Sequence, residues 1–523
     1  MKNEKERKKN YRMIINLLSC LVSFVITMGI SFLLTPYITQ KLGAEAYGFV
    51  SLANNFVNYA SIATLAINSM AARFVSVSYH QKDYNEANKY FNSILFTNFF
   101  LILILFVPSL LIICFLQRIV TITSTLILFV KILFALIFLN FFMGLINSSF
   151  SVSLFIKNRV DLTNLKNMES NVLKALIMLV LFYLFGANII FVGIASLIAT
   201  TYLLIYNLKY FIKLTPEIKI NKIYFDIKMT FKIFMSGIWN TVTKLGQVLS
   251  DGLDLLVCNW FVTPLAMGQL AISKTFSTCI STLTANISYV FQPNMTYYYA
   301  IGDKDKEINE IKFSMKATAF FSNILLAGVI ALGINLFNLW IPGQNIRIIY
   351  LSTFVTIIGG IVGSTINSLF NIFTITNKLK TNSLVTLSQG ILNIILVFIL
   401  LSLNIFKGYE IVVISGVSVF TSIIKNLTFT PIYAAKCLNT NITVFYKTIF
   451  TGMISAIILI ITFAFISNII NPITWPSLII CALICGLFGI IINYIILLNH
   501  NEREIFKNSI KSMLLRGDKN EAK

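Results

Sequence analysis

Charge is scarce in this chain. Only 12% of its 523 residues are Asp, Glu, Lys or Arg, about half of the roughly 25% usual in soluble domains, while 57% are hydrophobic. That balance excludes a water-soluble fold. Histidine is rarer still, with His80 and His500 alone, so neither a His-rich metal centre nor a cofactor is expected. The seven cysteines (Cys20, Cys114, Cys258, Cys279, Cys437, Cys481, Cys485) fall within apolar stretches or at their ends, which excludes a disulfide scaffold. Cys481 and Cys485 read as small packing residues on one helix face. The phosphate-binding patterns G-x-x-x-x-G-K-[ST] and G-x-G-x-x-G are missing, so chemistry driven directly by ATP on this chain is not expected. No loop exceeds about 30 residues, which leaves no room for a catalytic domain outside the membrane.

What the chain has is apolar length. About 20 apolar residues cross a bilayer core of about 30 Å, and the sequence divides into fourteen such runs, near 13–34, 47–69, 92–116, 122–152, 171–186, 188–206, 233–259, 265–290, 315–336, 349–376, 383–403, 410–435, 448–468 and 477–498. Backbone groups find no water in hydrocarbon, so such runs must be helices. The expected fold class is all-α integral membrane. The basic start (Lys2, Lys5, Arg7, Lys8, Lys9, Arg12) precedes an apolar run too long for a secretory signal and without a small-residue cleavage site, and is read as the cytoplasmic flank of an uncleaved first span.

Lys and Arg number 41 against 20 Asp and Glu, a formal charge of +21. Placed on alternate sides of fourteen spans, with Lys174, Lys316 and Lys425 counted on the cytoplasmic side, 34 basic residues fall on the side of the N-terminus, four (Lys41, Arg118, Arg347, Lys407) on the other, and three (Lys131, Lys244, Lys274) within spans. Basic residues mark the cytoplasmic side, so both termini are expected in the cytoplasm. The positive charge is thus an orientation signal facing anionic headgroups, and no nucleic-acid partner is expected.

The chain also repeats itself. Residues 41–56 match 261–276 at an offset of 220, sharing Ala46/Ala266, Gly48/Gly268 and Phe56/Phe276, and 155–182 match 374–401 at 219, pairing Asn158/Asn377 and Arg159/Lys378. Two distant windows with one offset argue for duplication. Six spans per copy give a parallel repeat, with a substrate site expected near the midplane between the halves. The expected organisation is a basic tail (1–12), an N-terminal lobe with a basic linker (13–232), a C-terminal lobe (233–447), two further spans (448–498) and a cytoplasmic tail (499–523).

Polar residues mark which faces avoid lipid. Span one carries Asn16 and then Ser19, Ser23, Thr27, Ser31 and Thr35; span two carries Asn54, Asn55, Asn58, Ser61 and Asn68. Span seven carries Asn240, Lys244, Gln247, Asp251 and Asp254, and span eight Lys274, Thr278, Ser281 and Thr282. Spans five, eleven and thirteen show little of this. Taken singly, such residues serve as interhelical glue; as four matched stripes at the start of each repeat they read as the lining of a cavity. Lys131, Lys244 and Lys274 are expected near mid-depth, with Asp251 and Asp254 toward the external side. Three midplane lysines against two peripheral aspartates favour an anionic passenger. Two alternatives stay open: a lysine that only neutralises Asp251, or an Asp-x-x-Asp metal motif of a membrane glycosyltransferase.

The stretch Leu33–Phe49 (LLTPYITQKLGAEAYGF), Arg73 after the second span, Asp83–Phe91 (DYNEANKYF) and the NKLKTN loop at 377–382 together resemble the polysaccharide-transporter family (O-antigen flippase, Wzx type) of the MOP superfamily, over essentially the whole chain. The resemblance implies a two-lobed bundle in the bacterial cytoplasmic membrane that moves undecaprenyl-pyrophosphate-linked oligosaccharide outward by alternating access. It implies no enzyme activity, a lipid-tail groove at spans thirteen and fourteen, and work alongside a polysaccharide polymerase and glycosyltransferases. Under that reading Lys244 and Lys274 bind pyrophosphate together with Lys131, Arg73, Asn54, Asn58, Asn240 and Gln247, while Asp251 and Asp254 carry H⁺ or Na⁺. From position alone, Arg73 is equally an anchor at the cytosolic surface. The alternatives are a MATE-like drug antiporter and a membrane-embedded glycosyltransferase or polymerase.

The orientation is open to test. In a chain stripped of its native cysteines, Lys407→Cys should react with a membrane-impermeant maleimide from outside intact cells and Asp303→Cys should not; the reverse pattern would invert the topology.

Overall fold

The structure is a computed structural model. It describes the backbone of residues 2–157, 159–403, 405–499 and 502–503, and their side chains except those of residues 2–21, Val160, Pro293 and Ala300. Asn16, Ser19, Cys20, His500 and most of both basic tails therefore lie outside the described side chains. Among the described residues there are helices and no strands.

The first helix, α1 (Lys2–His80), has 79 residues and if straight would run about 120 Å, several bilayer cores long. It bends instead at Gly43, whose φ of 88° and ψ of 161° suit a residue without Cβ. Expected spans one and two are therefore the two arms of one bent helix. Next come α2 (Tyr84–Cys114), a turn α3 (Leu116–Ile119), α4 (Ile127–Ile156), α5 (Val160–Phe185) and α6 (Ile189–Leu214). The linker leads to α7 (Ile227–Gln247), α8 (Asp254–Phe261), α9 (Pro264–Ile301) and α10 (Lys304–Trp340). The rest is α11 (Ile346–Ile366), α12 (Phe370–Ile375), α13 (Leu379–Ser402), α14 (Glu410–Leu427), α15 (Phe429–Cys437), α16 (Tyr446–Ile470) and α17 (Trp475–Ile496). Every expected span falls on this helical scaffold, and among the described residues eleven stretches are long and apolar enough to cross a membrane. Neither α7–α8 nor α9 is among the eleven; they carry the polar stripes of expected spans seven and eight.

The breaks have local causes. Pro431 cannot donate to the carbonyl four residues back, and the helix divides at Thr428. That carbonyl, on Leu427, accepts a hydrogen bond from the Tyr446 hydroxyl at 2.8 Å.

The chain forms two compact units that interleave along the sequence. Unit 1 comprises Met1–Thr275, Ile341–Thr356 and Asn377–Ser422; unit 2 comprises Phe276–Trp340, Ile357–Thr376 and Ile423–Lys523. In unit 1 the core gathers Phe49, Leu52, Leu133, Phe134 and Met267. A second cluster toward the basic loops stacks Phe91 on Phe211 with ring centroids 4.6 Å apart. There the linker is strapped to α2: Asn88 accepts from the Lys219 N–H and donates to the Glu217 carbonyl, and Asn92 does the same with Asn221 and Lys219. In unit 2, Cys481 and Cys485 pack with Ala327, Leu459 and Phe463, as small apolar residues.

The two glycines paired by the repeat meet. A Cβ on Gly48 would lie 2.8 Å from the Gly268 Cα, and one on Gly268 only 2.0 Å from the Ala44 carbonyl oxygen. Backbone contact of this kind is the small-residue packing that lets helices approach closely in membranes. Gly328, by contrast, has nothing within 4 Å of where its Cβ would stand. Gly268→Val should cost about 3 kcal/mol or more through overpacking and Gly328→Ala should cost nothing; thermal melts in detergent check both.

Candidate functional site

The site is built around an irregular turn. Between α7 and α8 the chain adopts a π-helical turn over Val248–Gly252. Such a turn lengthens the hydrogen-bond step and leaves nearby carbonyls needing other partners. Four helices supply them. The Ser250 carbonyl accepts from Asn393 Nδ2 of α13 at 2.7 Å and Ser418 Oγ of α14 at 2.9 Å. The Gly252 carbonyl accepts from the Tyr59 hydroxyl at 2.6 Å and Asn55 Nδ2 at 3.1 Å, both on α1. The Asp251 carbonyl accepts from Lys274 Nζ of α9 at 3.1 Å.

Lys274 also forms an ion pair with Asp254, which begins α8. Ser418 Oγ lies 3.4 Å from the same carboxylate. Asp254 is only 3% exposed, so neither charge is tolerable there without the other. Lys274 thus neutralises a neighbouring acid, and its partner is Asp254 rather than Asp251, whose residue is exposed.

The other expected residues divide by environment. Asn240 donates to Ser69 Oγ at 3.1 Å, tying α7 to α1. Asn54, Asn58 and Gln247 are exposed to differing degrees, and Asn54 otherwise donates to its own helix at Val50. Lys244 is half-buried and has no hydrogen-bond or ion-pair partner among the described residues. It lies about 16 Å along the helix from Ile233, where the apolar run begins. Lys131 stands elsewhere. It is in the first turns of α4 and donates to the Cys114 carbonyl at the end of α2 at 3.2 Å, so it serves a helix end instead of the mid-depth position expected. The reason is that α4 begins at Ile127, five residues later than the apolar run. Arg73 is exposed, two turns before the end of α1.

Two intramembrane lysines are not among the three placed within spans. Lys174, on the candidate span Asp161–Phe185, is half-buried and without a hydrogen-bond or ion-pair partner among the described residues. It lies about 16 Å along the helix from Phe185, as Lys244 does from Ile233. One turn earlier, Asn171 donates to Thr27 Oγ1 on α1 at 3.1 Å. Lys425 lies on the candidate span Glu410–Cys437 with its ammonium 5.7 Å above the Phe370 ring. Both fall within the limits of expected spans five and twelve, toward their cytoplasmic sides, although the charge tally counts them with the cytoplasmic loops. Span eleven, expected to be poor in polar groups, supplies Asn393 and Gln389, which donates to Ser422 Oγ at 2.9 Å. With Asn382 and Thr386 they stand at steps of four, three and four on the buried face of α13, a polar stripe that corrects that expectation.

A family model described as polysaccharide biosynthesis protein matches residues 14–298. An uncharacterised membrane protein, EpsK, of Bacillus subtilis (strain 168) is 26% identical over 491 residues, covering 94% of this chain and 96% of its own. The solved inward closed lipid II flippase MurJ superposes with a TM-score of 0.63 at 17% identity, covering 95% of this chain and 99% of its own. The solved MATE multidrug transporter DinF-BH superposes with a TM-score of 0.62 at 15% identity, covering 83% and 95%.

The buried pair gives a specific expectation. Lys274→Met alone strands the Asp254 charge and should destabilise the protein by about 3–5 kcal/mol, whereas Lys274→Met with Asp254→Leu should recover most of that loss. A double-mutant cycle on melts in detergent measures the difference.

Proposed function

From the premise that this chain belongs to the polysaccharide biosynthesis protein family, as a membrane transporter with MOP-superfamily neighbours, we propose that it is a flippase for a lipid-linked oligosaccharide. Undecaprenyl pyrophosphate is the proposed carrier, moved from the cytoplasmic to the external leaflet of the bacterial inner membrane. The proposed motion is alternating access between sequential halves, with both termini cytoplasmic.

One observation carries this reading: Lys244 and Lys174, each about 16 Å along its helix from one end of an apolar run, have no carboxylate partner among the described residues. An isolated ammonium facing lipid at that depth costs roughly 2.5 to 3.5 kcal/mol or more. An anion passing by removes that cost, and pyrophosphate is the anionic part of the proposed substrate. Beside Lys244, the accessible amides of Asn54, Asn58 and Gln247 are donors and acceptors of the kind that hold sugar hydroxyls. Arg73, toward the basic loops, is suited to a first encounter with the substrate, and Lys131 to one near the other face.

A drug antiporter of the MATE kind would rest on a carboxylate open to a cation. Here Asp254 is committed to Lys274, and Asp251 is the exposed acid of the site. Asp251 is therefore the residue we assign to coupling by H⁺ or Na⁺, with Asp254 holding the turn in place. Among the described residues no sizeable loop separates the helices to present a glycosyltransferase centre, and no cluster of His, Cys, Asp and Glu suits a metal.

Replacing Lys174 and Lys244 by Gln should lower surface polysaccharide by about tenfold or more for each ammonium removed, the scale of one charge-assisted hydrogen bond, with normal protein levels in the membrane. Arg at both positions should retain export. Wild-type export in the glutamine variant contradicts the assignment.

A further inference from the structure

Unit 2 holds a concentration of positive charge that the transport site does not use. The third and fourth turns of α10 place Lys312 and Lys316 four residues apart, on one helix face. Helix α16, which packs along α10, contributes Lys447 from its first turn. Among the described residues, the chain beyond α17 brings in one carboxylate, Glu502. Lys316 is only 9% exposed and donates to both oxygens of Glu502, at 2.9 and 2.7 Å. Glu502 also accepts the Asn499 N–H at 2.7 Å. Its two oxygens are thereby committed.

Lys312 is left uncompensated. It is half-buried, the like charges of Lys316 and Lys447 act on it, and it has no hydrogen-bond or ion-pair partner among the described residues. Among the described residues three ammonium groups, partly withdrawn from water, stand against one carboxylate and repel one another unless an anion joins them. The surroundings say which kind of anion. Lys447 lies in the first turn of α16, and Lys312 and Lys316 lie in the half of α10 nearer its N-terminus. From Lys447 the outer face of α16 continues as Phe450, Ile454 and Ile457, each about half exposed. A phosphate at the lysines would have apolar chains running along that face. Basic pockets between helices at this level hold anionic lipid headgroups.

We propose that Lys312 and Lys447, beside the Lys316–Glu502 pair, bind the phosphate of an anionic membrane phospholipid, whose chains lie along the outer face of α16. The site is independent of which substrate the transporter carries. A prenyl pyrophosphate has the same anionic chemistry and is the competing source to be separated by experiment.

The test is native mass spectrometry of the full chain in detergent, titrated with phosphatidylglycerol, phosphatidylcholine or farnesyl pyrophosphate. Phosphatidylglycerol should bind in preference to phosphatidylcholine. Its apparent affinity should fall by about tenfold or more in Lys312→Gln/Lys447→Gln, as expected when charge-assisted hydrogen bonds to the phosphate are removed. Lys312→Arg/Lys447→Arg should keep binding, and Lys244→Gln should leave it unchanged, which separates this site from the transport reading. Equal retention of phosphatidylglycerol by the wild type and the glutamine variant, or equal binding of both phospholipids, overturns the proposal. So does lysine-dependent binding of farnesyl pyrophosphate without that of phosphatidylglycerol.

Discussion

A polar group inside a membrane has to find its partner in the protein, and nearly every irregular feature of this chain answers to that constraint. The π turn at Val248–Gly252 is the clearest case. Its carbonyls draw side chains from α1, α9, α13 and α14 to one place, so the turn fixes four helices as well as being fixed by them. The Lys274–Asp254 pair belongs to the same knot. Its contribution is geometric before it is energetic, because a buried pair of this kind adds little net stability while the loss of either member is severe. Pro431 and Tyr446 repeat the logic on a smaller scale in unit 2.

Groups that escape the constraint stand out against this background. Lys174 and Lys244 have no hydrogen-bond or ion-pair partner among the described residues, and they share a helix bundle whose other polar groups are largely satisfied from within. Buried, satisfied polar groups hold the scaffold together; half-buried, unsatisfied charge awaits something that comes and goes. The same distinction separates Lys316, which has Glu502, from Lys312, which has no such partner among the described residues.

Much of this is legible in the sequence. Apolar run lengths place the helices, because run length in hydrocarbon is a direct physical requirement. The Asn240–Lys244–Gln247–Asp251 spacing marks the helix that carries the π turn, and Gly48 with Gly268 marks a close helix contact. Three things are not legible. The pairing of Lys274 with Asp254 instead of Asp251 depends on the phase change introduced by the π turn, which no periodic pattern reports. The depths of Lys131 and Lys174 depend on where each helix begins, and hydropathy blurs such boundaries by a turn or more. Asn393 and Ser418 belong to buried polar faces of α13 and α14, and only the fold shows those faces meeting at one turn. The interleaving of the two compact units is equally hidden, since it depends on contacts far apart in the chain.

The central proposal is that an anionic lipid-linked glycan crosses the membrane through this protein. Its most direct test is reconstitution of the purified chain into liposomes bearing a fluorescent undecaprenyl-pyrophosphate oligosaccharide in the inner leaflet, with and without an imposed H⁺ or Na⁺ gradient. Transfer to the outer leaflet is followed with a membrane-impermeant quencher. Transfer should depend on the protein and should disappear when the pyrophosphate is replaced by a neutral linkage. Equal transfer of the neutral analogue, or transfer no faster than in protein-free liposomes under any gradient, would contradict it.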